Sequence, residues 1–108
     1  MDQNCVSQPL VDEDYTQLAS VFKLLADPQR LTIVATLARA AAPVCVCDFT
    51  SVLPLNQPAV SHHLKLLRDG GLVTTERRGT WIYYSLAKDA ISRIRAATTI
   101  ILAEGISA

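Results

Sequence analysis

Two cysteines separated by one residue form the most chemically reactive group in the sequence, within Cys45-Val46-Cys47-Asp48. Thiolates select soft or thiophilic ions. The segment lies at the predicted start of a short helix, where the N-terminal end favours the thiolate form that binds metal. Free cysteines are also common as small buried hydrophobic residues. The pair is therefore either a metal or metalloid site or part of the core.

The spacing of the two cysteines restricts how they could share one ion. In a regular helix, side chains at i and i+2 point about 200° apart, because the helix has 3.6 residues per turn. Cys45 and Cys47 can bind the same ion only if the first turn unwinds or Cys45 lies outside the helix. The chain has three cysteines, and an odd number argues against a closed disulfide framework in a monomer.

A predicted helix from Gln57 to Asp69 follows the cysteine segment, with Asn56 as its N-cap and Pro58 in its first turn. Gly70-Gly71 ends it. Hydrophobic residues at helical spacing predict a buried side made of Val60, Leu64 and Leu67. Short or polar side chains of the kind that contact DNA face the other way: Gln57, Pro58, Ser61, His62 and Lys65.

Two β-rich segments, 72–77 and 80–86, predict a hairpin around an Arg78-Gly79 link. Its tip carries Arg77 and Arg78 beside Thr80. A helix with a polar outer face followed by a hairpin with a basic tip is typical of a winged helix-turn-helix. In that fold the helix enters the major groove and the wing reaches the adjoining backbone or minor groove. Solvated charges on an ordinary helix and hairpin are the alternative.

Four further helices are predicted at about 12–25, 28–41, 46–52 and 88–104. The apolar stripe of the first consists of Tyr15, Leu18, Phe22 and Leu25, and that of the second of Leu31, Val34, Leu37 and Ala38. The last has Ile91, Ile94, Thr98 and Ile101 on one side. The first and last helices carry more apolar surface than one small core needs, which predicts a homodimer interface. The fold class is therefore mainly α with a small β-hairpin, after a flexible tail at 1–11 and with one domain at 12–108.

Composition indicates a single soluble domain. The chain has 108 residues, half of them hydrophobic, and contains neither a membrane-span-like run nor an N-terminal signal pattern. We therefore expect a cytoplasmic protein with no membrane partner. Its net charge is zero, but residues 1–27 carry −4 and the remainder +4. A local basic face suffices for phosphate contact, with salt-sensitive affinity.

The segments SHHLKLLRDGGLV and RRGTWIYYSL, with Ala-Asp-Pro-Gln-Arg at 26–30, resemble the ArsR/SmtB family of metal-responsive bacterial repressors. The resemblance implies a homodimer on double-stranded operator DNA with an inverted repeat. Val44-Cys45-Val46-Cys47-Asp48 is similar to the Leu-Cys-Val-Cys-Asp motif of the arsenic-responsive and cadmium/lead-responsive branches, whose ligands match Cys45 and Cys47. The arsenic-type pattern often adds a third cysteine where this chain has Thr50.

The resemblance implies release of the operator when As(III) or Sb(III) binds, with Cd(II) or Pb(II) as alternative inducers and no organic cofactor. A thiol redox switch, in which Cys45 and Cys47 or Cys5 oxidise, is a second class of function that the cysteines leave open. Cadmium/lead-type relatives complete the site with an N-terminal cysteine from the partner subunit, a position that Cys5 could fill, although it could equally be an unpaired thiol. No histidine follows His63, so the zinc-type site on the last helix is absent.

No orienting third group accompanies a Cys–His pair, and we expect no catalytic residues and no enzyme activity. The expected DNA-contacting residues are Gln57, Pro58, Ala59, Ser61, His62, Lys65, Arg77, Arg78 and Thr80.

Overall fold

The computed structural model describes residues 15–107, with side chains described through residue 102. The elements in chain order are α1 (Tyr15–Leu25), α2 (Pro28–Arg39), β1 (Val44–Cys45), α3 (Val46–Thr50), α4 (Gln57–Asp69), β2 (Val73–Arg78), β3 (Trp81–Leu86) and α5 (Ala90–Ser107). This arrangement confirms the predicted mainly helical fold with a small hairpin. Residues 1–11, predicted to be a flexible tail, and the predicted start of the first helix at 12–14 lie outside the described residues.

Two helices that pack against each other, α2 and α4, both begin with a side-chain cap. The Asp27 carboxylate accepts hydrogen bonds from the backbone N–H groups of Gln29 and Arg30, at 2.8 and 3.1 Å, and so begins α2. The Asn56 side chain accepts one from the Ala59 N–H at 3.0 Å and begins α4.

At the other end of α4, Gly71 adopts φ 80°, as predicted for this glycine pair. The Leu72 N–H donates to the Leu67 carbonyl at 3.0 Å and the Gly71 N–H to the Arg68 carbonyl at 2.9 Å. These two bonds form the Schellman arrangement that commonly closes a helix. The chain therefore leaves α4 at a fixed angle and enters β2 directly.

The sheet has three antiparallel strands in the order β1-β3-β2. The sequence predicted β2 and β3 but not β1, whose Val44 and Cys45 pair with Tyr84 and Tyr83 of β3. The link between β2 and β3 is Gly79-Thr80, one residue later than predicted. Gly79 takes a φ of 65°, the left-handed conformation that tight hairpin turns require.

The core lies between α2, α3, α4 and the sheet. Its completely buried members include Ile33, Phe49, Val60, Leu64, Leu67 and Leu72. The predicted inner side of α4 is therefore confirmed.

The predicted stripe of α2 is partly wrong. Leu31 is 51% exposed and Ala38 is also exposed. The side of α2 that packs into the core is instead centred on Ile33, Val34 and Leu37.

α1 packs against α5 and leaves a broad apolar surface on the outside of the protomer. Tyr15 is 50% exposed and Ile101 60%, and Phe22, Ile91 and Leu102 are also exposed. Exposed apolar patches of this kind often mark protein–protein contacts. Of the helices that the structure describes, none has the length and apolar character to span a membrane.

The cap of α2 should make part of the stability dependent on pH. The hydrogen bond from the Arg30 N–H is the main cause that lowers the pKa of Asp27, helped by the Gln29 N–H and by the charges of His63 and Arg30, against some desolvation. A carboxyl group whose pKa is lowered by folding stabilises the folded state at pH values above its pKa in the unfolded chain. That contribution is lost as the pH falls through its pKa in the folded protein. Asp27→Asn retains a good capping side chain without the charge.

We therefore expect wild type to be more stable than Asp27→Asn at neutral pH, with the difference shrinking as the pH falls below about 4. Urea unfolding of both proteins, from neutral pH to below about pH 4, measures this difference in the free energy of unfolding. A difference that stays constant down to low pH would show that the charge of Asp27 does not contribute.

Candidate thiol site and nucleic-acid interface

Cys45 lies at the junction of β1 and α3, where it is the last residue of the strand and the N-cap of the helix. Its backbone is extended, with φ −87° and ψ 156°. Its sulfur accepts a hydrogen bond from the Cys47 N–H at 3.2 Å, and the Asp48 carboxylate accepts one from the Cys45 N–H at 3.2 Å. This reciprocal pair is a capping box. Cys45 therefore lies outside the helix, which is one of the two conditions under which the cysteines could share an ion, and α3 need not unwind.

The sulfur atoms of Cys45 and Cys47 are in direct contact and are joined as a disulfide, with the two Cα atoms 5.4 Å apart. Together with a carboxylate oxygen of Asp48, they form a cluster whose atoms all lie within 4.8 Å of one another. Cys45 is buried, whereas Cys47 and Asp48 are exposed. When reduced, the cluster offers two thiolates and one hard oxygen, and the sulfurs make it suited to thiophilic ions.

Of the two other candidate ligand positions, only Thr50 lies within the described residues, and it is not part of this cluster. The Thr50 hydroxyl, at the position of the third cysteine in the arsenic-type motif, donates to the Cys47 carbonyl at 2.9 Å and so belongs to the helix. Cys5 lies outside the described residues.

A cavity of about 270 Å³ connects the cysteines to both predicted DNA-binding elements. Residues 45–47 form one wall, Gln57 and Ser61 of α4 a second, and residues 80–82 with Tyr84 a third. The cavity could not be predicted from the sequence, because it depends on the pairing of β1 with β3. The only local signal was the short β-branched and cysteine-rich run before α3, which is compatible with a strand.

The outer side of α4 is open, as predicted. Gln57, Pro58 and His62 are exposed, whereas Ser61 and Ala59 are half-buried. Lys65 is exposed, but its ammonium donates to the Asp69 carboxylate at 2.8 Å. That hydrogen bond is the main cause that lowers the pKa of Asp69.

The two adjacent histidines differ in their surroundings. His63 is half-buried, and its Nδ1 lies 3.4 Å from Nη1 of Arg30. Arg30 in turn donates from Nε to the Leu24 carbonyl at 2.7 Å. His63 therefore faces inward to Arg30, which is itself bound to the C-terminal end of α1, whereas His62 is exposed.

The two arginines of the wing are not equivalent. Successive side chains in a strand point to opposite faces, so Arg78 shares a face with Glu76, and Arg77 points to the other side. Arg78 donates to both Glu76 carboxylate oxygens, at 3.0 and 3.3 Å, and its guanidinium lies 4.9 Å from the centre of the Tyr83 ring. Its hydrogen bond lowers the pKa of Glu76 and raises that of Arg78. Among the side chains that the structure describes, Arg77 has no acidic partner.

Comparison with known proteins identifies relatives over most of the chain. The family described as bacterial regulatory protein, arsR family, matches residues 27–75. An uncharacterised HTH-type transcriptional regulator from Methanocaldococcus jannaschii is 38% identical over 82 residues, which span 76% of this chain and 91% of that protein. The arsenical resistance operon repressor of Bacillus subtilis is 42% identical over 71 residues, spanning 66% and 67% of the two chains.

A solved structure has the same architecture. It is the homodimeric winged helix-turn-helix DNA-binding domain of a possible ArsR-family regulator from Mycobacterium bovis. It is 32% identical, with a TM-score of 0.66, and the match covers 85% of this chain and 83% of that one. With the buried side of α4, the open outer side and the basic wing, these matches show that the chain belongs to the ArsR/SmtB family of DNA-binding transcriptional repressors.

Proposed function

We propose that the protein is a repressor that binds an inverted-repeat operator as a homodimer and is released when As(III) binds Cys45 and Cys47. The observation that carries this proposal is the position of the two sulfurs, which meet at a cavity walled by the reading helix α4 and the wing. The similarity to the arsenical resistance repressor of Bacillus subtilis supports As(III) over other thiophilic ions. Sb(III), Cd(II) and Pb(II) are the alternative inducers, since they share the preference for thiolates.

The third ligand of As(III) would come from outside the described cluster. Cys5, of the same or the partner subunit, is one source, and water or a small cellular thiol is another. Asp48 is a weaker choice because its carboxylate already accepts the Cys45 N–H.

In the proposed complex, α4 enters the major groove with Gln57 and His62 reaching base edges, and Pro58, Ala59 and Ser61 lie along the same side. Thr80 and Arg77 of the wing contact the adjoining backbone. Arg78 and Lys65 are expected to contribute less, because each already pairs with a carboxylate.

Dimerisation would place two copies of α4 on one face of the assembly. The exposed apolar side chains of α1 and α5 are the proposed interface, and a twofold axis through them makes the contact self-complementary. Half-sites about 10–10.5 base pairs apart, or a multiple of that spacing, fit such a dimer.

Release would follow from a preference of the ion for a dimer conformation in which the two copies of α4 no longer match the operator. The structure offers two connections from the cysteines to the DNA-binding elements. One is the pairing of Cys45 with Tyr83 in β3, and the other is the packing of α3 on α4. Such couplings are typically worth about 1–3 kcal/mol.

A thiol-redox regulator is a second candidate, favoured by the direct contact of the two sulfurs. In that case an oxidant would cause release without any metalloid. Titrating the reduced protein with arsenite and with peroxide separates the two functions.

Cysteine-to-serine variants test the ligands. We expect Cys45→Ser and Cys47→Ser to bind operator normally and to resist release by arsenite. Serine is a preferred N-cap, so at position 45 it can accept the Cys47 N–H in place of the sulfur. Fluorescence anisotropy of a labelled duplex, selected from random sequence by the reduced protein, measures both properties.

Cys5→Ser tests whether Cys5 supplies the third ligand. It should need much more arsenite if Cys5 is the third ligand and behave as wild type if water or a small thiol fills that position. Release of both other variants at the wild-type arsenite concentration would refute the proposed site.

Base contacts by α4 can be separated from backbone contacts. His62→Ala and Gln57→Ala should each reduce the preference for the selected operator over random DNA by roughly 1–3 kcal/mol, the usual discrimination of a good base contact. Lys65→Ala is the control on the same helix and should leave the preference unchanged. If His62→Ala weakens binding to both DNAs equally, the side chain is not reading a base.

The wing arginines should have unequal effects on salt dependence. Arg77→Ala should lower the slope of log affinity against log salt by about 0.9, corresponding to one phosphate contact. Arg78→Ala should change it less, because Glu76 already neutralises much of that charge, and Glu76→Gln should strengthen binding to all sequences. Anisotropy titrations at several salt concentrations measure the slopes. Equal slopes for the two arginine variants would contradict the assigned roles.

A further inference from the structure

The cavity beside the cysteines is larger than a bare metalloid ion requires. A cavity of about 150 Å³ accommodates benzene, and this one measures about 270 Å³. Trp81, Ile82 and Tyr84 supply apolar surface, and Gln57, Ser61 and Thr80 supply neutral polar groups. Among the described residues, no acidic, basic or histidine side chain lines the cavity. Both sulfurs border it, so a group attached to an atom bound by Cys45 and Cys47 would have a place to lie.

The ligand set also fits an arsenic atom that already carries one carbon substituent. Among the described residues, the cluster supplies two sulfurs and the carboxylate of Asp48, a hard oxygen ligand that suits a thiophilic atom less well and whose Oδ2 accepts the capping hydrogen bond. The Thr50 hydroxyl donates its hydrogen bond to the Cys47 carbonyl within the helix. Two thiolates complete the three bonds of a monosubstituted trivalent arsenical, whereas inorganic As(III) needs a third ligand.

The geometry points to a monosubstituted trivalent arsenical, such as methyl- or phenylarsonous acid, as the ligand of this site, with its organic group in the cavity. This inference rests on the proposed binding of trivalent arsenic to Cys45 and Cys47. Two As–O bonds of R–As(OH)₂ break and two As–S bonds form. The two thiol protons leave with the two hydroxyl groups as water. Arsenic remains trivalent and keeps its carbon substituent, so the step needs no oxidant or reductant once the Cys45–Cys47 disulfide has been reduced to two thiols, the form in which a cellular thiol would hold them.

An organic group in this position would lie between the two DNA-binding elements. Ser61 is on the reading helix and Trp81 is the first residue of β3 after the wing turn, and both line the cavity. A bound substituent would limit how closely α4 and the wing can approach each other. The same ligand would therefore act on DNA binding through its arsenic atom and through its carbon group.

Thr80→Phe is designed to fill the cavity, since Thr80 is an exposed wall residue at the hairpin turn, beyond the ends of both strands. Thr74→Phe is the matched control, because Thr74 is also exposed and in the hairpin but does not line the cavity. Trp81 is the single tryptophan of the chain and borders the cavity, so its emission reports binding.

The reduced full-length proteins would be titrated with phenylarsonous acid, methylarsonous acid and arsenous acid, with a small dithiol as competitor. We expect wild type and Thr74→Phe to bind phenylarsonous acid about tenfold or more tightly than Thr80→Phe does, the effect of losing burial of a ring-sized apolar group. Arsenous acid should bind all three proteins equally. In wild type, phenyl protons should show nuclear Overhauser contacts to the Trp81 indole.

Normal arsenous acid binding, together with no Trp81 contact and no effect of Thr80→Phe, would overturn the organic subsite and leave the As(III) site intact. Failure of wild type to bind any of the three arsenicals would overturn both. A defect of Thr80→Phe towards arsenous acid as well would also count against the subsite, because it would show a loss of the whole thiol site.

Discussion

The backbone pairing of Cys45 with Tyr83 is the interaction that determines the geometry of the site. It holds Cys45 in an extended conformation at the end of β1, and that conformation allows its sulfur to turn back onto the first N–H groups of α3. The same residue therefore joins the sheet, starts a helix and supplies a thiol. Without the strand, Cys45 would be the first residue of a regular helix, and its side chain would point away from Cys47.

This arrangement changes the expected route from the thiols to DNA. If the cysteines had been in one helix, ligand binding would have required distortion of α3. Because Cys45 is already in a strand beside the wing, the cavity between α3, α4 and the hairpin is the place where, under the proposed function, ligand and DNA-binding elements would meet. The contact between Arg30 and His63 fixes α4 from the opposite side, through the carbonyl groups that end α1. The reading helix is thus held on one side by α1 and α2, and Gln57 and Ser61 on its other side border the cavity at the cysteines.

Local patterns made much of the fold predictable from the sequence. The caps Asp27 and Asn56 and the inward side of α4 all depend on neighbours within a few residues, and the structure has them where the pattern predicts. β1 was missed because two residues carry no period, and the strand exists only through pairing with β3, far along the chain. Leu31 was misplaced because both it and Ile33 fit an apolar stripe, and the choice depends on the angle at which α2 packs. The two cysteines were recognisable as candidate ligands, but their convergence and the cavity beside them are tertiary properties.

The use of a cysteine sulfur as a helix cap has a genetic consequence. Cysteine and serine codons differ by a single base, and serine is among the best capping residues. A point mutation at codon 45 can therefore remove a thiol from this protein while leaving the start of α3 intact. If the thiols are the sensor, we expect selection for permanent repression to recover this change readily, whereas changes that disturb the cap would be lost with the fold.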